Sequence, residues 1–180
     1  AIFAQIQQAA SVWNNVATSQ VRLKFGGTTR NGVPQATPGI DVVFDDEMPP
    51  GILAQTIPSF PADLSFLNPD DPKASGPNFV PLLRARLQLR SDLASLDQAS
   101  FSDSFFLTLV HEFGHALGLQ HSMTSATMST DYTRATTKAH PLADDDRAAI
   151  SLLYPAPGYA GSMGSLSGRV TLGTDGVHLA

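Results

Sequence analysis

The stretch TLVHEFGHALGLQHS, residues 108–122, constrains this chain more than any other. His111 and His115 are four positions apart, which on a helix stacks them one turn above the other, about 6 Å apart along the axis, on one face. Gly118 follows, where a glycine can end a helix in a left-handed conformation without steric cost. The chain can then turn sharply, and His121 can swing back toward the two earlier rings. Glu112, one step round the helix, reaches the mouth of the space the rings would enclose. These eleven positions hold three of the five histidines and one of the two glutamates in the chain.

Two imidazoles so placed can each offer a nitrogen to one ion at roughly 2.0–2.1 Å. An HExxH helix is a mechanical unit of two ligands and one general base. With His121 as third ligand and a water as fourth, the set makes a tetrahedral zinc with an open catalytic position. Neutral ligands leave the charge of the ion undiminished, so water at the site ionises near neutral pH and Glu112 is placed to take its proton. A glutamate third ligand would have to lie downstream, and the only other glutamate, Glu47, lies upstream. Recruiting Asp144 or Asp145 would leave Gly118 and His121 without a role.

At 180 residues the chain fits one domain with a real core, and its net charge of −5 comes with scattered basic residues. No clustered positive face is present to bind nucleic acid or an anionic membrane. No apolar run approaches the roughly 20 residues of a membrane-spanning helix. With no cysteine, neither a disulfide framework nor a thiolate metal site is possible. The start, AIFAQIQQAASVWNNV, has no basic n-region or cleavage pattern, so any signal peptide is expected to have been removed. Abundant Pro, Gly, Ser and Thr with few Lys and Glu suggest a secreted, bacterial protein.

Residues 2–17 carry Ile2, Ile6, Ala9, Ala10, Trp13 and Val16 at helical spacing. Strands are expected at 21–25 (VRLKF), ended by Gly26-Gly27, and at 40–46. Residues 51–60 form a short edge strand, since Pro58 fits a ladder only at an edge or an end. Residues 61–79 read as a surface loop, and 79–92 as a half-exposed strand alternating from Leu83 to Leu89. Ser102 or Asp103 caps the helix bearing the histidines, whose apolar face is Phe105, Phe106, Leu109, Val110 and Phe113. The chain is irregular from Gly118 to about 141. A short helix follows within 142–155, capped by Asp144 or Asp145, buried through Ile150, Leu153 and Tyr154, and stopped by Pro155. After a Gly/Ser-rich break at 158–165 the sequence alternates again, as at the start of a second β-domain.

HEFGHALGLQHS resembles the HExxHxxGxxH zinc motif of the metzincin metallopeptidases, and Ser122 after His121 resembles the marker of the matrixins within them. SFFLTLVHEFGHALGLQHS looks like the matrixin active-site helix and LADDDRAAISLLYP like the matrixin C-terminal helix, with Asp145 and Asp146 at its paired aspartates. The resemblance implies an α/β (α+β) metzincin fold: a twisted mixed sheet, a long active-site helix and a small C-terminal subdomain. It places a catalytic domain at 1–157, with 158–180 a linker and the start of a further β-domain. His111, His115 and His121 are then the ligands of one catalytic zinc, Glu112 the catalytic base and Met128 the methionine turn beneath the metal. One of Asp145 and Asp146 would hold a chain terminus.

Several departures are informative. No Tyr-Pro follows Met128 as it does in animal matrixins, and Tyr132 is too far from it to serve as the fifth-ligand tyrosine of other metzincins. Gln55 stands where the animal enzymes carry a histidine of a second, structural zinc, which predicts that this zinc is missing. Asp45 to Glu47 and Asp70-Asp71 sit in acidic pieces that could bind Ca2+, with turn residues as the default reading. The expected function is a secreted, monomeric, zinc-dependent endopeptidase acting on protein or peptide substrates, held as an added strand along 51–58. The alternatives are a non-catalytic metzincin-fold zinc-binding or adhesion module, and an enzyme for non-peptide amides or esters.

Overall fold

The computed structural model describes residues 2–29, 37–62, 80–92, 101–130, 136–164, 166–168, 171–172 and 177–178. Three strands, β1 (Gly39–Asp45), β2 (Ala54–Ser59) and β3 (Arg84–Arg90), form a mixed sheet in the order β1-β3-β2. β3 runs parallel to β1 and antiparallel to β2, with Leu87 opposite both Val42 and Thr56. Among the described residues β2 is therefore an edge strand, which is how Pro58 is accommodated opposite Ala85.

The middle strand departs from simple alternation. Ala85, Leu87 and Leu89 are buried, but so is Gln88 on the other face. A buried carboxamide needs partners. Gln88 accepts a bond from Gln55 Nε2 at 2.6 Å and donates to Asp45 Oδ2 at 2.9 Å, tying all three strands together through side chains. Gln55 thus has a partner within the sheet at the position where the resemblance implies a metal-binding histidine. Arg84 and Asp41 add a contact at 2.5 Å between β3 and β1.

Helix α1 (Ile2–Asn14) buries Ile6, Ala9 and Trp13 against helix α2 (Phe101–Ala116). Trp13 is wholly buried, and its indole Nε1 donates to the carbonyl of Val110 at 3.0 Å. The apolar face expected for α2 is the one that is buried: Phe105, Phe106, Leu109, Val110 and Phe113. The helix begins at Phe101, so Ser102 and Asp103 lie inside its first turn rather than capping it.

The segment 21–25 forms no ladder among the described residues. Asn14, at the end of α1, takes the place of a neighbouring strand. Its Oδ1 accepts from the Leu23 amide at 2.6 Å and its Nδ2 donates to the Leu23 carbonyl at 2.8 Å. Once a side chain satisfies those groups, extended sequence need not join a sheet.

Helix α3 spans Asp144–Leu153, with Ile150 fully buried and Leu153 and Tyr154 packed on the core. Its cap is Ala143, not Asp144 or Asp145. The capping carboxylate is that of Asp146, reaching back to the Ala143 amide at 2.8 Å. Short strands β4 (Thr171–Leu172) and β5 (Val177–His178) pair antiparallel near the end of the chain. Most of the loop expected at 61–79 lies outside the described residues, as does Tyr132. No helix among the described residues is long and apolar enough to cross a membrane.

Candidate metal centre

Helix α2 ends through a paired set of backbone bonds. The Gly118 amide donates to the His115 carbonyl at 2.9 Å and the Leu119 amide to the Gly114 carbonyl at 3.0 Å. This is a Schellman arrangement, and it requires a left-handed residue after the helix; Gly118 has φ +95°. The bend returns the chain across the end of α2 and carries His121 back to His111 and His115.

The three rings converge. His115 Nε2 lies 3.1 Å from His111 Nε2 and 3.2 Å from His121 Nε2. The Nδ1 atoms of the two helical histidines point away from this meeting point, to the carbonyl of Thr127 at 2.7 Å and the carbonyl of Leu119 at 2.8 Å. A carbonyl only accepts, so each Nδ1 carries the ring proton and each Nε2 is left with its lone pair. Two lone pairs facing each other at such a distance repel unless a cation lies between them. Ligands about 2.05 Å from a tetrahedral zinc are separated by about 3.3 Å along an edge of the tetrahedron, close to the spacings found here. The donor set therefore fits one zinc ion.

Exposure rises along the triad: His111 is buried, His115 half-buried and His121 exposed. Partial burial, and then the neighbouring His115, hold His121 below the ordinary imidazole pKa, which favours its neutral, ligating form. Among the described residues this is the one group of three or more histidines, cysteines and acids placed to share an ion.

Glu112 is 5% exposed at the base of a cleft of about 600 Å³. Thr56 of β2 approaches it from the sheet, with its hydroxyl 2.7 Å from Glu112 Oε2 and 3.0 Å from the Glu112 carbonyl. The cleft runs between β2 and the preceding residues on one side and the three histidines with Gln120 and Ser129 on the other.

Met128 is 2% exposed, with its sulfur against Gly114 of α2. Its carbonyl accepts from the Ser122 amide at 2.9 Å, so the segment after His121 and the segment at Met128 run side by side. Asp146 anchors this layer, accepting from the Thr127 amide at 2.9 Å and the Met128 amide at 3.1 Å. Thr127 is the residue whose carbonyl holds His111, so α3 is connected to His111 through two bonds.

Asp145 accepts from Ser122 and Thr124, just past His121, at 2.6 and 2.9 Å. Asp145 and Asp146 therefore both hold the loops of the centre, whereas the resemblance implies a chain terminus for one of them; Ala1 lies outside the described residues. Asp45 and Asp46 are engaged with Gln88, the Glu47 amide and Ser91. His140 is exposed and away from the triad, in a turn with Thr137.

Of the residues singled out from the sequence, the three histidines and Glu112 line one cleft, and Met128 packs against Gly114 of the same helix. Sequence reasoning missed Thr56, Gly114 and the two carbonyls that orient the rings. Of these, only Gly114 carries a local signal, a glycine inside an otherwise strong helix; the others depend on pairings distant in sequence.

Comparison with known proteins agrees with this geometry. A family model described as Matrixin matches residues 2–155. Matrix metalloproteinase-27 of Tupaia belangeri is 44% identical over 59 residues, 32% of this chain. The match spans 11% of that protein's own length.

Proposed function

The chain belongs to the matrixin family of zinc metallopeptidases, of metzincin fold, and from that footing we propose that it is a secreted, zinc-dependent endopeptidase. One observation carries the reading. Three histidine Nε2 atoms converge beside a buried glutamate, at a cleft bordered by an edge strand.

His111, His115 and His121 would hold the ion. When bound, zinc supplies Lewis acidity, polarising a peptide carbonyl and acidifying water. The carbonyls of Thr127 and Leu119 fix the ring tautomers and orientations, which leaves the right nitrogen of each helical histidine for the metal. Glu112 takes the proton of the attacking water and returns it to the departing amine nitrogen, a role typically worth 10²–10⁴ in rate. A peptide lies extended along β2, whose backbone offers donors and acceptors on the side away from β3. The low net charge and scattered basic residues suit a protein substrate rather than a nucleic acid.

The experiment pairs metal analysis with cleavage. Native mass spectrometry is expected to show one zinc per chain in both wild type and Glu112→Ala. Wild type cleaves an unstructured protein substrate in a chelator-sensitive manner, and Glu112→Ala loses at least about a hundred-fold. One zinc per chain with no chelator-sensitive cleavage of any substrate would instead mark a non-catalytic binding module.

A further inference from the structure

Resting on that reading, we infer that Thr56 is a positioning residue of the reaction: its hydroxyl fixes the rotation of the Glu112 carboxylate toward the cleft. The terminal torsion of a glutamate is soft, so a carboxylate on a helix does not by itself hold one orientation. A base must meet its proton within hydrogen-bond reach, and small misplacements of reacting groups are costly in rate.

The restraint comes from the sheet. Thr56 sits inside β2, opposite the fully buried Leu87 of the central strand, so its backbone is held on a rigid element. Its β-branched side chain has a restricted χ1. The hydroxyl has one proton and two acceptors within reach, Glu112 Oε2 at 2.7 Å and the Glu112 carbonyl at 3.0 Å. The carbonyl belongs to the hydrogen-bond ladder of α2, where the amide four residues on is its partner. The carboxylate is nearer and charged, and bonds to charged acceptors are the stronger ones. The proton therefore goes to Oε2, and the catalytic helix and the substrate-bearing strand are joined at the group that moves protons. Nothing in the sequence around Thr56 signals this, because its partner is 56 positions away.

Thr56→Val removes the hydroxyl and keeps the shape and the strand preference. On a peptide substrate, kcat is expected to fall on the order of ten-fold while KM stays within about two-fold, with zinc content unchanged. Thr56→Ser restores the hydroxyl and should recover most of the lost kcat, which a pure packing role would not allow. Should the valine variant fold poorly, Thr56→Ala is read in the same way.

Wild-type kcat in the valine variant, a loss confined to KM, or a serine variant no better than valine would each overturn the inference. Those results are separable from failure of the peptidase reading. In that case wild type would not cleave or Glu112→Ala would cleave normally, and the inference would fall with it.

Discussion

Gly114 lies inside α2, where glycine costs roughly 1 kcal/mol relative to alanine. The contacts explain why it is there. A Cβ at this position would collide with Met128 Sδ and meet Trp13 Cζ2 at 3.1 Å. A methionine side chain is adaptable in general, but this one is buried and its amide is tied to Asp146, and the indole is tied to Val110. Neither neighbour can easily give way. Gly114→Ala should therefore destabilise by about 1–3 kcal/mol, even though alanine is the better helix former. Urea denaturation of the zinc-loaded protein measures it, and a stabilised variant would show that the Met128 contact is loose. The same crowding accounts for why a methionine belongs against α2: a long, unbranched side chain fills the space beside a helix that has no Cβ there.

The end of α2 shows how one helix terminus builds a centre. Its last carbonyls need partners. The Gly118 and Leu119 amides satisfy two, and the Tyr154 hydroxyl, from the far end of α3, donates to the Leu117 carbonyl at 2.9 Å. Burial raises the Tyr154 pKa, so at neutral pH the phenol keeps the proton it donates. Two substitutions separate conformation from anchoring. Gly118→Ala meets only ordinary contacts, with Leu82 at 3.6 Å and Leu153 at 3.8 Å, so its cost is the left-handed backbone, about 1–2 kcal/mol. Because His121 hangs from that bend, zinc affinity in a chelator competition should fall at least about ten-fold. Tyr154→Phe should cost about 1 kcal/mol and leave zinc affinity within about two-fold, since it removes one bond without changing the bend. Equal losses of affinity in both would mean that anchoring, not the turn, places His121. This element was legible in advance: the histidine spacing, the glycine and the apolar stripe of α2 are all local. Its start was not, because Ser102 and Asp103 read as cap residues yet lie within the first turn. Nor was the fate of 21–25, where alternation suggests a strand but the Asn14 carboxamide occupies Leu23.

At the scale of the whole fold, the sheet and α1 pack on α2, while α3 holds the loops. What the sequence could not disclose is this second half. Asp144 to Asp146 look like a solvated helix start, yet Asp146 is buried on three backbone amides and Asp145 clamps the loop after His121. Their partners are 18 to 23 positions away for all but the Ala143 amide, across irregular chain with no periodicity to read. The Asp145 clamp makes an acid-sensitive joint. Hydroxyls of Ser122 and then Thr124 stabilise its charged form and lower its pKa in the folded chain. In the unfolded chain it titrates near the usual value of about 3.9. A depressed folded pKa contributes stability above the unfolded value, and that contribution is lost as pH falls through the folded one. The side chain is exposed, so solvent screening keeps the effect below about 1 kcal/mol. Chelator-treated wild type and Asp145→Ala, unfolded in urea, remove metal loss by the histidines from the comparison. Wild type should be the more stable by a small, constant margin from roughly pH 5 to 7, and the margin should close toward about pH 3. A margin that grows on acidification would mean that Asp145 is protonated more readily in the folded state, and the clamp would have to be redrawn with the carboxyl as donor.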